Sequence, residues 1–148
     1  MRIHIASDHA GYELKSAVSA HLREQGHTVI DHGAHSYDPD DDYPAFCLDC
    51  GEAVVADAGS LGIVLGGSGN GEQIAANKVP GVRAATGLDL LTVRGSVENY
   101  DAQILCMGQN VIAAPAACAP SWKSCWCQLC MICRTARISP RYISPQSA

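Results

Sequence analysis

Apolar and polar residues follow two different periods along the first 108 residues of the chain. Short apolar runs bounded by glycine or polar residues predict five strands, at residues 2–6, 28–30, 61–66, 82–86 and 103–107. Apolar residues at helical spacing predict helices between them, at residues 12–25, 44–56, 72–78 and 88–97. Strands that alternate with helices in this way predict an α/β fold, a Rossmann-like three-layer αβα arrangement around a five-stranded parallel sheet.

The glycine-rich stretch after the third predicted strand is the main candidate site. It reads Gly66-Gly67-Ser68-Gly69-Asn70-Gly71 and leads directly into a predicted helix. Glycine lets the backbone approach a ligand closely, and the N–H groups of a helix N-terminus suit a phosphate or a developing oxyanion. Glu72 lies in the first helical turn, where a glutamate that complements the helix dipole and one that does chemistry are both possible. No Lys-Ser/Thr pair follows the glycines, so the loop is not a Walker motif.

Two other segments are predicted to meet this loop. The carboxyl ends of parallel strands share one edge of a sheet, so Asp8 and His9 after the first strand lie beside the glycine loop. Tyr43 follows an acidic loop at residues 35–42. The carboxylates of that loop could bind a hard metal ion. Residue type alone favours a solvated loop that caps the next helix.

Composition and charge narrow the class of protein. The 148 residues suit one domain with a substantial core, and the net charge is −5. All 15 acidic residues lie at or before Asp101, an excess that argues against nucleic acid as the main partner. No run of 18 apolar residues predicts a membrane span, and the chain opens on a strand pattern without a signal peptide. A cytoplasmic protein is therefore expected.

The cysteines fall into two groups. Cys47 and Cys50 lie on the apolar stripe of a predicted helix, which favours core packing over redox chemistry. The periodic pattern ends near residue 112, and residues 113–148 are predicted to form a divergent tail, poorly structured or loosely docked. Of the five cysteines in this tail, four lie close together: Cys125, Cys127, Cys130 and Cys133. Reduced cysteines in an apolar segment are favoured there over a zinc site.

Three motifs together resemble one enzyme family. They are Ser7-Asp8-His9-Ala10-Gly11, Asp42-Tyr43-Pro44 and the string from Gly66 through Glu72-Gln73-Ile74-Ala75-Ala76-Asn77-Lys78. The chain is similar in these motifs to the ribose-5-phosphate isomerase B family, which includes galactose-6-phosphate isomerase. The resemblance runs from Met1 to about Gly108.

The resemblance implies an aldose–ketose isomerase that interconverts ribose 5-phosphate and ribulose 5-phosphate through a cis-enediolate. It implies Glu72 as general base and Ser68 as a group that assists proton movement near the carbonyl. It also implies substrate-binding roles for three side chains: Asp8 binds sugar hydroxyls, His9 binds the phosphate or ring oxygen, and Tyr43 lines the pocket. The loop residues implied to bind substrate through their N–H groups are Gly67, Gly69, Asn70 and Gly71. A homodimer with a shared pocket is implied too.

No metal or organic cofactor is expected, because no His/Cys/carboxylate cluster is predicted near the loop and N–H donors can stabilise an enediolate.

The sequence departs from the family pattern in its rear half. Asn99 and Tyr100 stand where the family usually carries a His-Asn pair that opens the sugar ring, and Asn99 is taken as a substrate-binding residue. Gln109 and Asn110 stand where an arginine is expected. Two alternatives therefore stay open: an isomerase of a tetrose or hexose phosphate, and a sugar-phosphate-binding relative with impaired turnover.

Overall fold

The structure is a computed structural model that describes residues 1–112. Every prediction about residues 113–148, including the domain boundary, the loosely docked tail and its cysteines, lies outside the described residues. Within residues 1–112, no helix is long and apolar enough to cross a membrane.

Five strands and four α-helices alternate along the described chain, as the hydrophobic periods predict. The strands are β1 (Arg2–Ser7), β2 (Thr28–Asp31), β3 (Leu61–Gly66), β4 (Ala84–Thr86) and β5 (Ile104–Gly108). The helices are α1 (Tyr12–Glu24), α2 (Tyr43–Ala56), α3 (Asn70–Ala76) and α4 (Leu90–Tyr100). A single 3₁₀ turn, His9–Gly11, joins β1 to α1.

The differences from the predicted bounds have local causes. Helix α3 begins two residues early, because Gly69 adopts a left-handed conformation with φ +84° and serves as its N-cap. Helix α4 begins two residues late, because Asp89 caps it: the Asp89 carboxylate accepts from the Thr92 N–H, and the Thr92 hydroxyl receives the Asp89 N–H.

All five strands are parallel, in the order β2-β1-β3-β5-β4. Ser7 pairs in register with Leu65, and Gly66 pairs with Gly108. The central strands therefore end together, and the loops that follow them open onto one edge of the sheet. This arrangement confirms the predicted α/β fold.

Helices cover both faces of the sheet. Apolar residues of α1 and α4, such as Leu14 and Val93, are buried on one face. The other face buries residues of α2 and α3, including Cys47 and Cys50. Burial raises the pKa of each of these two thiols to about 12, so neither is a thiolate near neutral pH. Their predicted role in core packing is confirmed.

An ion pair between a buried lysine and a partly buried aspartate lies at the end of β2. The Lys15 ammonium is 3% exposed and lies 2.8 and 3.0 Å from the two carboxylate oxygens of Asp31. It also donates to the Ala34 carbonyl at 2.6 Å, while Asp31 accepts from the Gly33 N–H at 2.9 Å. These bonds link α1 to the start of the loop that leads to α2.

Candidate active site

The loops after β1 and β3 meet at the carboxyl edge of the sheet. A Cβ on Gly11 would lie 2.5 Å from the carbonyl carbon of Leu65, so the 3₁₀ turn packs directly on the end of β3. A Cβ on Gly67 would come within 3.6 Å of the Ala10 Cβ. Asp8 and His9 therefore lie beside the glycine loop, as the parallel topology predicts.

The glycine loop is held against the end of β5. A Cβ on Gly69 would lie 3.1 Å from the Met107 carbonyl carbon, and a Cβ on Gly108 would overlap the Ser68 backbone. The Ser68 hydroxyl accepts from the Asn70 N–H at 3.2 Å, and both residues are exposed. The loop is thus fixed on its sheet side, and Ser68 and Asn70 remain accessible to a ligand.

Glu72 is buried, with 4% of its surface exposed. A Cβ on Gly66 would overlap its carboxylate, so the side chain folds back over the end of β3. Its Oε2 is buried and makes no hydrogen bond within residues 1–112. Burial, with a contribution from the charge of Asp8, raises the pKa of Glu72, against the opposing effect of the Glu72 and Gly69 N–H groups.

Asp8 is buried as well, at 6% exposure, and caps the 3₁₀ turn by accepting from the Gly11 N–H at 3.1 Å. Burial raises the pKa of the Asp8 carboxyl, which the Gly11 N–H partly offsets. The carboxyl groups of Asp8 and Glu72 are thus both buried with raised pKa values, and the charge of Asp8 contributes to the raised pKa of Glu72.

His9 pairs with a residue that sequence reasoning missed. Asp41 Oδ1 accepts from the His9 backbone N–H at 2.9 Å and lies 2.7 Å from His9 Nδ1. The acidic loop was predicted to be solvated and to cap α2, and for Asp41 this is wrong. Asp42 is the N-cap of α2, yet its side chain makes no capping hydrogen bond. Local sequence gives no signal for the pair, because only the folded loop brings Asp41 to His9.

Asp8, His9 and Asp41 form a group whose potential ligand atoms all lie within 4.8 Å of one another. The expectation that no His/Cys/carboxylate cluster lies near the loop is therefore wrong. Such a group could hold a cation in principle, although His9 Nδ1 and Asp41 Oδ1 already bond to each other.

Tyr43, the first residue of α2, reaches the glycine loop. A Cβ on Gly71 would lie 2.9 Å from Cζ of the Tyr43 ring, so the ring rests on the Gly71 backbone. Tyr43 is half-buried, with its ring packed against the α2–α3 face of the core. The structure thus brings the start of α2 to the same region as Asp8 and Glu72.

Asn99 is not brought to this site within one chain. It is exposed near the C-terminal end of α4, which runs back from the carboxyl edge of the sheet to the amino edge. The Arg83 guanidinium, just before β4, donates to the carbonyl of neighbouring Tyr100, which places this helix end at the amino edge. Helix α4, with 11 residues, is about 16 Å long, and Asn99 lies in its last turn, at the end opposite the carboxyl edge of the sheet.

Gln109 and Asn110, which stand where an arginine is expected, hydrogen-bond to the glycine loop. The Gln109 and Asn110 N–H groups donate to the carbonyls of Gly66 and Gly67 at 2.8 and 3.0 Å. The Gln109 side chain accepts from the Leu14 N–H at 3.0 Å, in the first turn of α1. This link between β5, the glycine loop and α1 was not predicted from the sequence.

The fold and the site together define an α/β protein with a buried carboxylate at a glycine loop. The Ribose/Galactose Isomerase family matches residues 3–123, and the chain belongs to this family. The match continues past residue 108, where the resemblance was expected to end. A similar protein is ribose-5-phosphate isomerase B of Mycolicibacterium paratuberculosis, 54% identical over 119 residues, which cover 80% of this chain and 75% of that protein.

Solved structures of ribose-5-phosphate isomerase B share the fold. The enzyme of Clostridium thermocellum superposes with a TM-score of 0.75 at 37% identity, over 96% of this chain and 99% of its own. That of Mycoplasma genitalium, with bound ribulose-5-phosphate, gives a TM-score of 0.71 at 37% identity, over 76% and 74% of the two chains.

Proposed function

We propose that this protein interconverts ribose 5-phosphate and ribulose 5-phosphate through a cis-enediolate. It is a sugar-phosphate aldose–ketose isomerase, as its family membership and its similarity to a ribulose-5-phosphate-bound enzyme support. The observation that carries the proposal is the Glu72 carboxylate, which is buried where the glycine loop enters α3 and whose Oε2 has no hydrogen-bond partner within residues 1–112. A carboxylate in such surroundings is more basic than one in water and is suited to proton abstraction from carbon.

The proposed chemistry moves one proton between neighbouring carbons. Glu72 removes the proton from C2 of the open-chain aldose and returns it to C1 of the enediolate, which gives the ketose. Ser68 assists the transfer of the hydroxyl proton between O1 and O2. The negative charge that develops on oxygen is stabilised by N–H groups of the loop, which belong to Gly67, Gly69, Asn70 and Gly71.

The remaining residues would bind the substrate. Asp8 accepts hydrogen bonds from sugar hydroxyls, His9 contacts the phosphate or the ring oxygen, and Tyr43 lines the pocket. Because Asn99 lies at the far edge of the sheet in its own chain, its proposed role requires a second copy. We therefore propose a homodimer, which sedimentation at micromolar concentration would test, and a purely monomeric protein would remove Asn99 from the site. A cytoplasmic location is proposed on the same basis, as for an enzyme of sugar-phosphate metabolism.

A substrate panel tests the assignment. Purified full-length protein is assayed with ribose 5-phosphate, erythrose 4-phosphate and galactose 6-phosphate at equal concentrations. The highest kcat/KM is expected for ribose 5-phosphate. A preference for the tetrose or hexose phosphate would favour the alternative isomerase, and saturable binding without turnover would favour the relative with impaired catalysis.

The pH dependence of kcat/KM is expected to show an acid limb set by Glu72. The base must be ionised to accept a proton, so the rate rises with pH as Glu72 loses its own proton. Because burial raises the pKa of Glu72, the midpoint should lie above the ordinary glutamate value of about 4.3. The residual rate of Glu72→Gln should lack this limb, and an unchanged limb in that variant would assign it to another group such as Asp8.

Turnover is expected to need no divalent cation. Treatment with EDTA followed by gel filtration should leave kcat within the error of the untreated protein, since the loop supplies N–H donors for the enediolate. Zn²⁺ or Mn²⁺ added back should not raise the rate. Loss of activity with EDTA and recovery with a divalent ion would contradict this expectation and point to the Asp8, His9 and Asp41 group.

A further inference from the structure

Asp41 makes an unusual pair of bonds to a single neighbour. One carboxylate oxygen, Oδ1, receives the backbone N–H of His9 at 2.9 Å and lies 2.7 Å from its ring Nδ1. The Asp41 side chain is 11% exposed, whereas that of His9 is 35% exposed. The carboxylate is therefore fixed by the His9 backbone, and in turn it fixes the His9 ring.

This geometry selects one form of the imidazole. An ionised carboxylate can only accept hydrogen bonds, so Nδ1 must carry the proton in the bond to Asp41. Nε2, on the far side of the ring, is then the atom left to meet a ligand. The charged groups that act on His9 among the described residues are Asp41 and Asp8, and both favour its protonated form, although burial acts in the opposite direction.

We propose that Asp41 is a positioning residue for the substrate: it commits the Nδ1–H of His9 to a hydrogen bond, so that the Nε2–H of the protonated ring donates to the phosphate of the sugar phosphate. This inference rests on the proposed function for the identity of the anion. A carboxylate bonded to the second nitrogen of a histidine is a common means of fixing its tautomer and ring orientation.

A purely structural role for Asp41 fits the contacts less well. Its Oδ2 is buried and has no hydrogen-bond partner within residues 1–112. A buried acceptor without a partner destabilises a fold. The turn of the acidic loop is made by other groups, because the Asp38 carbonyl and side chain receive the N–H groups of Asp41 and Asp40.

The tautomer can be measured on the unaltered protein. Ring ¹⁵N shifts of His9, assigned by comparison with His9→Gln, report which nitrogen carries the proton when the ring is neutral. The Nδ1–H form is expected, although free histidine prefers the Nε2–H form. A neutral His9 with its proton on Nε2 would overturn the proposal, and so would stoichiometric binding of Zn²⁺ with displacement of the Nδ1 proton.

Substitution then tests the connection to the substrate. Asp41→Asn should lower the pKa of His9 in an NMR titration and raise KM for ribose 5-phosphate by about tenfold, with kcat nearly unchanged. The matched control is Asp40→Asn, which removes the same charge from an exposed side chain of the same loop and should change neither quantity.

A double-variant cycle separates positioning from loop structure. If Asp41 acts through His9, Asp41→Asn should add little to the KM already raised by His9→Gln. Additive losses, or a fall in kcat with unchanged His9 titration, would overturn the proposal. The NMR measurements need no turnover, so they decide the positioning role even if ribose 5-phosphate proves not to be the substrate. Conversely, if Asp41→Asn isomerises ribose 5-phosphate normally and the pKa of His9 is unchanged, the positioning role is refuted and the proposed function stands.

Discussion

Replacement of Glu72 by glutamine is expected to lower kcat for ribose 5-phosphate on the order of a hundredfold or more, because the amide cannot accept the carbon-bound proton. The same change should leave the melting temperature equal or higher. The carboxylate is buried and one of its oxygens lacks a hydrogen-bond partner within residues 1–112, so an uncharged side chain of equal size relieves a desolvation penalty. Initial rates and thermal denaturation on the same preparation measure both effects.

The control for Glu72 is Glu52→Gln, which makes the same chemical change on an exposed residue of α2. It should alter neither the rate nor the melting temperature. Near-normal kcat in Glu72→Gln would remove Glu72 from the role of base. A loss of rate accompanied by a large fall in melting temperature would instead indicate a damaged loop.

The largest effect on stability is expected at the ion pair of the buried Lys15 with Asp31. Asp31→Ala leaves the ammonium buried without its carboxylate and should reduce the free energy of unfolding by about 3 kcal/mol. Urea denaturation followed by circular dichroism measures the change. Asp31→Ala should affect stability more than activity, because Asp31 lies in β2 and not among the residues around the glycine loop.

Two further variants test whether the unpaired charge of Lys15 causes the loss of stability in Asp31→Ala. Glu98→Ala removes the carboxylate of an exposed ion pair with Arg94 and should cost no more than about 0.5 kcal/mol. Lys15→Met added to Asp31→Ala should recover part of the loss, since it removes the buried charge. Equal losses in Asp31→Ala and Glu98→Ala would mean that Lys15 is solvated in the protein.

Most of the fold could be predicted because the hydrophobic period of each element, and the alternation of strands with helices, are visible in local sequence, whereas the order of the strands in the sheet was not predicted. Short apolar runs that alternate with amphipathic segments predict a parallel α/β sheet, and the five strands agree. The element bounds were harder, because they depend on single capping residues. Gly69 and Asp89 each shifted a helix start by two residues, through a left-handed backbone in one case and a capping box in the other.

Residues of the site could be predicted where they lie in the loops that directly follow the strands. Asp8, Tyr43 and the glycine loop meet at the carboxyl edge, which the parallel topology alone implies. Asp41 was missed because its partner is more than 30 residues away and the intervening loop has no periodic pattern. The role of Asn99 stays a prediction, since this residue is exposed near the C-terminal end of α4 and the structure does not bring it to the glycine loop.

The most direct test of the proposed function follows ribose 5-phosphate in D₂O by proton NMR. The enediolate mechanism predicts that ribulose 5-phosphate forms and that solvent deuterium appears at C1 over repeated turnovers, because Glu72 exchanges its proton with water while the intermediate is bound. Glu72→Gln should suppress both the conversion and the deuterium incorporation. Ketose formed without any solvent deuterium, or no ketose from the intact protein, would contradict the proposed mechanism.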